Sequence, residues 1–255
     1  MNKIDIGFEK IKCIAHIADV HIRNLRRHKE YKQVFKKLYR DLKDNLPENS
    51  IIYLAGDIAH AKTEMSPELI EVTSDLFTKL SKIAPTILIA GNHDCNLNNK
   101  SRLDALSPIV DSLNLDNFYY LKDNGLYDIA DCVFNVMSVF NDPEEYILSK
   151  NIKTDKTKIA LYHGSVESAT TDVGFKLPGE VTTDIFTGYD MVLLGDIHKQ
   201  QYLNKQKTIA YAGSLVCQNW GEHPTNHGYI KWDAPKRKPE YRIIENDYAY
   251  VTLEI

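Results

Sequence analysis

TILIAGNHD, residues 86–94, joins a run of five mostly apolar residues to a glycine and three polar side chains. A short apolar run that ends at glycine is typical of a buried strand followed by a loop. Polar groups at the end of a buried strand lower stability unless they find partners. The motif Gly91-Asn92-His93-Asp94 therefore indicates a strand that carries polar side chains to a site.

Four more clusters of polar residues follow short apolar runs in the same way. They are Asp19-Val20-His21, Gly56-Asp57-Ile58-Ala59-His60, His163-Gly164 and Gly195-Asp196-Ile197-His198. Each run before them predicts a further buried strand. Ligands of open α/β sheets gather at the carboxyl ends of the strands, so we expect these side chains to converge although they are distant in sequence.

The order of the predicted elements indicates the fold class. An amphipathic helix is predicted over 24–46, a second helix after the N-cap Ser66 with Pro67 at its first position, and a third over 101–113. The turn signal Asp123-Asn124-Gly125 predicts a hairpin, and strands dominate from residue 118 onward. Alternating strands and helices followed by strands favour an α/β sandwich of mixed β-sheets flanked by helices.

Length and composition limit the class of protein. The chain has 255 residues, 43% of them hydrophobic, which suits one well-buried domain. Its 31 Lys and Arg against 35 Asp and Glu give a formal charge of -4, so an anionic partner needs a local basic patch or a metal. Four scattered cysteines and no long apolar run predict an intracellular protein, cytoplasmic or nuclear, that is neither secreted nor bound to a membrane.

The residue types in the five clusters suit a pair of divalent cations. Asp, Asn and His supply oxygen and nitrogen ligands, and the clusters contain no thiolate. One carboxylate must bridge the two metals, and Asp57 is the natural candidate. Two cations lower the pKa of a shared water from 15.7 to about 7, which gives a hydroxide able to attack phosphorus. A nearby histidine that is not a ligand can protonate the leaving oxygen.

Taken in order, the motifs DxH, GDxxH, GNHD, HG and GxxH resemble those of the calcineurin-like metallophosphoesterase superfamily from Asp19 to His198. GDIHKQQ at 195–201, AYAGS at 210–214 and WGE at 220–222 are most similar to the SbcD-type nuclease subunit of the DNA double-strand-break repair nuclease–ATPase complex. The resemblance implies a calcineurin-like phosphoesterase sandwich and a metal-dependent DNA nuclease, exonuclease or endonuclease, in repair or recombination.

The resemblance also implies roles for individual residues. Metal one would be held by Asp19, His21, Asp57 and His198, and metal two by Asp57, Asn92, His163 and Asp196. His93 matches the catalytic histidine that does not bind metal. Two divalent ions are implied, with Mn²⁺ favoured and Mg²⁺ as an alternative.

Two positions depart from related patterns. The SbcD-type branch usually has GHxH in the last motif, whereas Asp196 stands here in place of the first histidine. A carboxylate can still bind metal two, and its harder oxygen favours manganese or magnesium. The phosphoprotein phosphatases of the superfamily have Arg in the second motif and GNHE in the third. His60 and Asp94 occupy those places here, which points toward phosphodiesters.

A basic segment follows the first metal motif. It contains Arg23, Arg26, Arg27, Lys29, Lys32, Lys36 and Lys37. Its start should lie beside the cleft, where it could hold DNA phosphates, and a solvated helix face is the alternative. Arg23, Arg26, Arg27 and His60 are therefore the candidate residues for binding nucleic acid.

Three functions remain open at this point. A DNA nuclease is the leading hypothesis; a phosphodiesterase for a small substrate and a non-catalytic phosphoesterase-fold subunit of an ATPase complex are the alternatives. DNA, an SbcC-type ATPase and a second copy of the chain are the partners considered. We assign residues 1–240 to the metallophosphoesterase domain. The segment 241–255 resembles the approach to a cap domain, so the chain is expected to be a fragment or a minimal form.

Overall fold

Thirteen strands form two β-sheets of mixed direction in the computed structural model, which describes residues 1–251. The strands are β1 (Asn2–Ile4), β2 (Cys13–Ile17), β3 (Ser50–Leu54), β4 (Thr86–Leu88), β5 (Phe118–Tyr120), β6 (Gly125–Ile129), β7 (Cys132–Met137), β8 (Thr157–His163), β9 (Met191–Gly195), β10 (Gln201–Tyr202), β11 (Ile209–Tyr211), β12 (Gly228–Asp233) and β13 (Lys238–Ile243).

The first sheet has the strand order β13-β12-β2-β3-β4-β5, and the second has the order β1-β6-β7-β8-β9-β11-β10. Strands β2 to β5 run parallel to one another, as do β7, β8, β9 and β11. The pairs β12–β13, β12–β2, β6–β7 and β10–β11 are antiparallel. This arrangement confirms the predicted α/β sandwich with mixed sheets.

Alternate side chains of each strand in the first sheet pack into different layers of the molecule. In β3, Tyr53 faces the second sheet and packs in one apolar core with Phe134 and Trp232. Its neighbours Ile52 and Leu54 face the other way and pack against the helices. Because neighbouring side chains of a strand point to opposite faces, a strand covered on both sides is apolar throughout. This explains why β2, β3 and β4 consist mostly of apolar residues, with His16 as a buried polar residue inside β2.

Three α-helices cover the outer face of the first sheet: α1 (His28–Asn45), α2 (Pro67–Ser81) and α3 (Ser107–Leu113). Ser66 caps α2 as predicted, with its hydroxyl accepting a hydrogen bond from Leu69 N at 3.2 Å. The first helix starts four residues later than predicted. Arg27 directly precedes it with a φ of 61°, a left-handed conformation that stops the helix from extending toward residue 24. The segment 23–27 is therefore a loop.

The hairpin predicted at Asp123-Asn124-Gly125 is wrong. Strand β5, before this turn, pairs with β4 in the first sheet, whereas β6, after it, pairs with β7 in the second. The turn signal therefore marks the crossing between the two sheets. The hairpin lies one strand later, where Ile129 pairs with Cys132 across a two-residue turn.

The end of the described chain packs back onto the body. The predicted boundary at residue 240 falls inside β13, so residues 241–243 belong to the first sheet. Beyond β13, Asn246 donates a hydrogen bond to Glu30 at 2.8 Å, and Lys37 lies 3.3 Å from Asp247. Residues 252–255 of the predicted strand segment lie outside the described residues.

The cysteines and the helices are the features of the structure that relate to the predicted intracellular location. All four cysteines are buried and unpaired. Within residues 1–251, every helix is too short or too polar to cross a lipid bilayer. The intracellular location stays a prediction.

Candidate metal centre

The five predicted clusters meet at one edge of the sandwich. Asp19 follows β2, Asp57 follows β3, and Asn92 follows β4 in the first sheet, while His163 ends β8 and Asp196 follows β9 in the second. All five strands run in the same direction within their sheets, so their carboxyl ends lie together. The candidate ligands therefore come from both sheets.

Four candidate ligands have strained backbones. Asp19, His21, Asp57 and Asp196 have φ angles of 50°, 49°, 53° and 100°, in a region that residues with a Cβ rarely adopt. Such conformations typically cost about 1 to 3 kcal/mol each and persist where surrounding contacts enforce them. Here His21 N donates to Asp57 O at 2.8 Å and Asp196 N donates to Asp19 Oδ1 at 2.9 Å. The strain is a recognised signature of functional sites.

Gly91 permits the close approach of the third motif to Asp57. A Cβ at this position would collide with both the carboxylate and the backbone nitrogen of Asp57. Because glycine has no Cβ, the loop can place His93 N as a donor to Asp57 Oδ1 at 2.8 Å. The collision that a Cβ would make with Asp57 therefore explains why the motif has glycine at position 91.

Asp57 lies between the two halves of the site. Its Oδ2 is 3.4 Å from His21 Nε2, and its Oδ1 is 3.3 Å from His163 Nε2. The two carboxylate oxygens thus face histidines that come from different sheets. This is the geometry expected of a carboxylate shared by two cations.

The other candidate ligands form two overlapping groups. Potential ligand atoms of Asp19, His21 and His198 all lie within 4.8 Å of one another, as do those of Asp19, Asp57 and His163. Asn92 and Asp196 adjoin the second group. Asn92 Nδ2 is 3.1 Å from Asp196 Oδ1, which lies 3.9 Å from His163 Nε2. All seven residues predicted from the sequence are therefore brought together.

Several buried atoms in these groups have no hydrogen-bond partner among residues 1–251. They include Asp19 Oδ2, Asn92 Oδ1 and His163 Nε2. Unpaired buried polar atoms are costly and need a partner. His163 Nδ1 donates to Ala55 O at 2.6 Å, so when the ring is neutral, as a metal ligand must be, its lone pair is on Nε2. The donor set therefore fits divalent metal ions.

Glu222 orients the candidate ligand His198. The carboxylate Oε1 accepts a hydrogen bond from His198 Nδ1 at 2.7 Å, which leaves Nε2 facing His21. Carboxylates that hold metal-binding histidines in this way fix the ring and the tautomer. Glu222 is itself held by Gln218 N at 2.7 Å. Sequence reasoning assigned no role to Glu222, although it belongs to the WGE motif.

Burial and charge shift the pKa values of the site. Burial raises the pKa of Asp19 to about 7, opposed by His198 and His163, and it also raises the pKa of Asp196. Burial acts in the same direction on Asp57, but His163 and His21 outweigh it and hold its pKa well below the usual range. Three carboxylates crowded in a buried site favour the binding of cations, which would displace protons.

His93 lies beside the candidate ligands. Its Nδ1 donates to His60 O at 2.7 Å, so Nε2 is the ring nitrogen left for other partners. The ring packs edge-on against His21, with the centroids 4.8 Å apart. His60 in turn accepts a hydrogen bond at Nε2 from Arg23 Nη1 at 3.1 Å. Burial, with Arg23 next, lowers the pKa of His60 to about 4, so this ring is neutral.

Potential ligand atoms of His21, His60 and His93 also lie within 4.8 Å of one another. The hydrogen bonds above engage one nitrogen of His60 and one of His93. The group therefore forms a cluster of ring nitrogens next to the carboxylate-rich centre.

The three candidate arginines have different surroundings. Arg23 is half-buried and also donates to Gln218 O at 3.1 Å, while Arg26 is exposed. Arg27 is half-buried and held by contacts within the chain. Its guanidinium forms two hydrogen bonds of 2.7 Å to Glu30 and one of 2.7 Å to Cys217 O. These contacts make Arg27 a link between α1 and the loop after β11.

Asp94 joins two of the motif loops. Its fully buried carboxylate accepts hydrogen bonds of 2.9 Å from Ala59 N in the second motif and from Gly91 N in the third. Sequence reasoning used Asp94 only as a sign of substrate class. The structure gives it a positioning role for the loops that carry Asp57 and His93.

The chain belongs to the calcineurin-like phosphoesterase family, whose model matches residues 14–200. This membership makes it a metallophosphoesterase, a class of hydrolases that act on phosphoester bonds and generally bind divalent metals. The chain is also similar to uncharacterized protein R555 of Acanthamoeba polyphaga mimivirus, with 49% identity over 258 residues that cover 96% of this chain and 19% of that protein. The chain thus spans about a fifth of the length of this curated relative.

Asp94→Ala should destabilise the fold. The substitution leaves two buried backbone N–H groups without an acceptor, which costs about 2 to 6 kcal/mol in the free energy of unfolding. Urea denaturation followed by circular dichroism measures this loss. Asp94→Asn keeps one acceptor oxygen and should lose less. Equal stability of Asp94→Ala and the parent would contradict the positioning role.

Asp196→Ala should remove or weaken one of two metal ions. Manganese affinity at that site is expected to fall at least tenfold. Mutation of residues that only hydrogen-bond to metal ligands already lowers metal affinity about 10- to 100-fold. Isothermal titration calorimetry with Mn²⁺ measures stoichiometry and affinity. Asp184→Ala, which removes an exposed carboxylate from the same half of the chain, is the control. Unchanged binding of two ions by Asp196→Ala would show that Asp196 is not a ligand.

Proposed function

We propose that the chain is a metal-dependent DNA nuclease that hydrolyses phosphodiester bonds. Asp19, His21, Asp57 and His198 would hold one divalent cation, and Asp57, Asn92, His163 and Asp196 the other. The observation that carries the proposal is the seven-residue donor set, with Asp57 oxygens facing both halves. Mn²⁺ suits this mixture of carboxylates and histidines, and Mg²⁺ is the alternative.

A bound pair of cations would supply Lewis acidity and activate a water for attack on phosphorus. The chain itself supplies the proton for the leaving oxygen. Protonated His93 would keep Nδ1–H on His60 O, where the hydrogen bond is 2.7 Å, and present Nε2–H to that oxygen. As the new P–O bond forms and the old one breaks, the proton moves from His93 to the leaving group.

Arg23 and Arg26 support DNA as the substrate. Arg23 adjoins His60 at 3.1 Å, which places a cation beside His93. Arg26 is exposed in the same loop, where phosphates flanking the scissile bond could reach it. Within the family, the stretches 195–201, 210–214 and 220–222 together resemble an SbcD-type nuclease subunit acting in DNA repair or recombination, although Asp196 departs from that pattern. An SbcC-type ATPase would be the matching partner, and a second copy of the chain is another candidate.

His93→Ala should abolish turnover and keep metal. Loss of a general acid lowers the rate by about 10²- to 10⁴-fold. The assay is Mn²⁺-dependent cleavage of end-labelled single- and double-stranded DNA, with calorimetry to confirm that two ions bind. His223→Ala, at an exposed histidine, is the matched control. DNA cleavage at the parent rate by His93→Ala would overturn the assignment.

Arg26→Glu should separate DNA from small substrates. Its charge reversal removes a phosphate contact, so DNA cleavage at low enzyme concentration should fall about threefold to tenfold, and the difference from the parent should shrink as salt rises. Hydrolysis of bis(p-nitrophenyl) phosphate, which cannot reach the loop, should persist. Lys205→Glu is the control for net charge. A parent that hydrolyses the small diester and leaves DNA intact would favour a small-substrate phosphodiesterase. A parent inactive on both would favour a non-catalytic subunit.

A further inference from the structure

The exposed side of α1 has a continuous row of cations. Its five members, which we call the α1 stripe, are Lys29, Lys32, Lys36, Arg40 and Lys43. Their spacing of three or four residues places them on one face of the helix. The opposite face is apolar and packs into the core through Tyr31, Val34, Phe35, Leu38 and Leu42. The stripe itself contains no carboxylate.

Most of these cations lack a carboxylate partner. Lys32 lies 3.1 Å from Glu71, and both side chains are exposed. Across residues 1–251, the other four members of the stripe are not within ion-pair distance of any Asp or Glu. Asp41, on the same helix, is instead engaged by Arg242 at 2.6 Å. The stripe therefore carries an excess of positive charge on a protein whose formal charge is -4.

A groove of about 460 Å³ adjoins the far end of the stripe, between α1 and the end of α2. Lys79 and Lys82 line it from the α2 side, opposite Lys36, Arg40 and Lys43. Its remaining lining residues are Tyr39, Asp44 and Ile83. Five cations thus converge on a partly apolar groove that contains one carboxylate.

The near end of the stripe lies beside the metal centre. Tyr31 OH, in the first turn of α1, donates to His21 O at 2.5 Å, and His28 Nε2 donates to Arg23 O at 2.7 Å. From Lys29 to Lys43 the helix rises about 21 Å, at 1.5 Å per residue. The stripe therefore runs from the candidate metal centre to the opposite end of the helix layer.

We propose that the α1 stripe and its groove bind the phosphate backbone of a nucleic acid that extends from the metal centre. Like charges held close together repel, and a polyanion offsets that repulsion. A length of about 21 Å corresponds to roughly six phosphates of one strand at 3.4 Å each. The choice of nucleic acid among polyanions rests on the proposed function, because the stripe begins at a phosphodiester site.

The test compares two triple variants with the same change in charge. Lys36→Glu/Arg40→Glu/Lys43→Glu reverses the groove end of the stripe. Lys150→Glu/Lys153→Glu/Lys205→Glu reverses three exposed lysines elsewhere, none of which has an ion-pair partner within residues 1–251. Fluorescence anisotropy with a labelled duplex and a labelled single strand of about 20 nucleotides measures affinity across a range of salt. A His93→Ala background keeps the probes intact.

The stripe variant should bind nucleic acid at least tenfold more weakly than the parent. Loss of three phosphate contacts should also lower the slope of log affinity against log salt by about 2.7 for duplex DNA. The control variant should bind nearly as tightly as the parent. Circular dichroism of both variants shows whether each remains folded.

Three outcomes would overturn the proposal. Equal weakening by both triple variants would show a solvated helix face acting through net charge alone. A parent that binds neither probe would exclude a nucleic-acid site. Binding to phosphatidylserine vesicles but not to DNA, lost in the stripe variant, would assign the stripe to a membrane surface.

Failure of the proposed function gives a different pattern. In that case the parent with His93 intact would leave DNA uncleaved, with or without hydrolysis of the small diester, whatever the anisotropy shows. DNA cleavage by the parent, together with a stripe variant that binds DNA as tightly as the control variant, would overturn only the stripe proposal.

Discussion

The buried carboxylate of Asp57 is the contact on which the site depends. It stands where the two sheets meet, with its oxygens 3.4 Å from His21 and 3.3 Å from His163. It also accepts the backbone N–H of His93. One side chain thus connects its own motif loop with three of the other four. A buried carboxylate is stable only when donors or cations surround it, so the loops must converge for Asp57 to be accommodated.

The sandwich tolerates costly features at this edge. Four candidate ligands adopt left-handed backbone conformations, and several buried ligand atoms find no hydrogen-bond partner in the part of the chain that the structure describes. Asp94 and Glu222 add rigidity, one by linking two loops and the other by holding His198. Metal binding to such a preformed site contributes to stability as well as to chemistry, because the unfolded chain lacks the site. Departures from local rules at a functional site are expected when the surroundings enforce them.

The basic segment after the first motif has two parts, a loop that precedes α1 and the first residues of α1 itself. Arg27 turns inward and links Glu30 to Cys217 O, whereas Arg26 stays exposed. Within α1, the helical repeat of 3.6 residues places the apolar side chains on one face and the lysines and arginines on the other. A helix that packs on the sheet and starts at the metal centre therefore extends positive charge along the outside of the molecule.

The sequence by itself determined the buried strands, the capped start of α2, the sandwich class and the ligand types. These follow from residue periodicity, local hydrogen bonding at Ser66 and motif order, which are all readable along the chain. Only the tertiary structure decided that the chain crosses between sheets at Gly125, that Arg27 bonds to Glu30 and Cys217, and that Asp94 and Glu222 position the site. The physical reason is that the contacts of these residues depend on which strands pair and on which loops lie next to each other. Glu222 lies 24 residues from His198 and Arg27 lies 190 from Cys217, so no local pattern specifies those contacts.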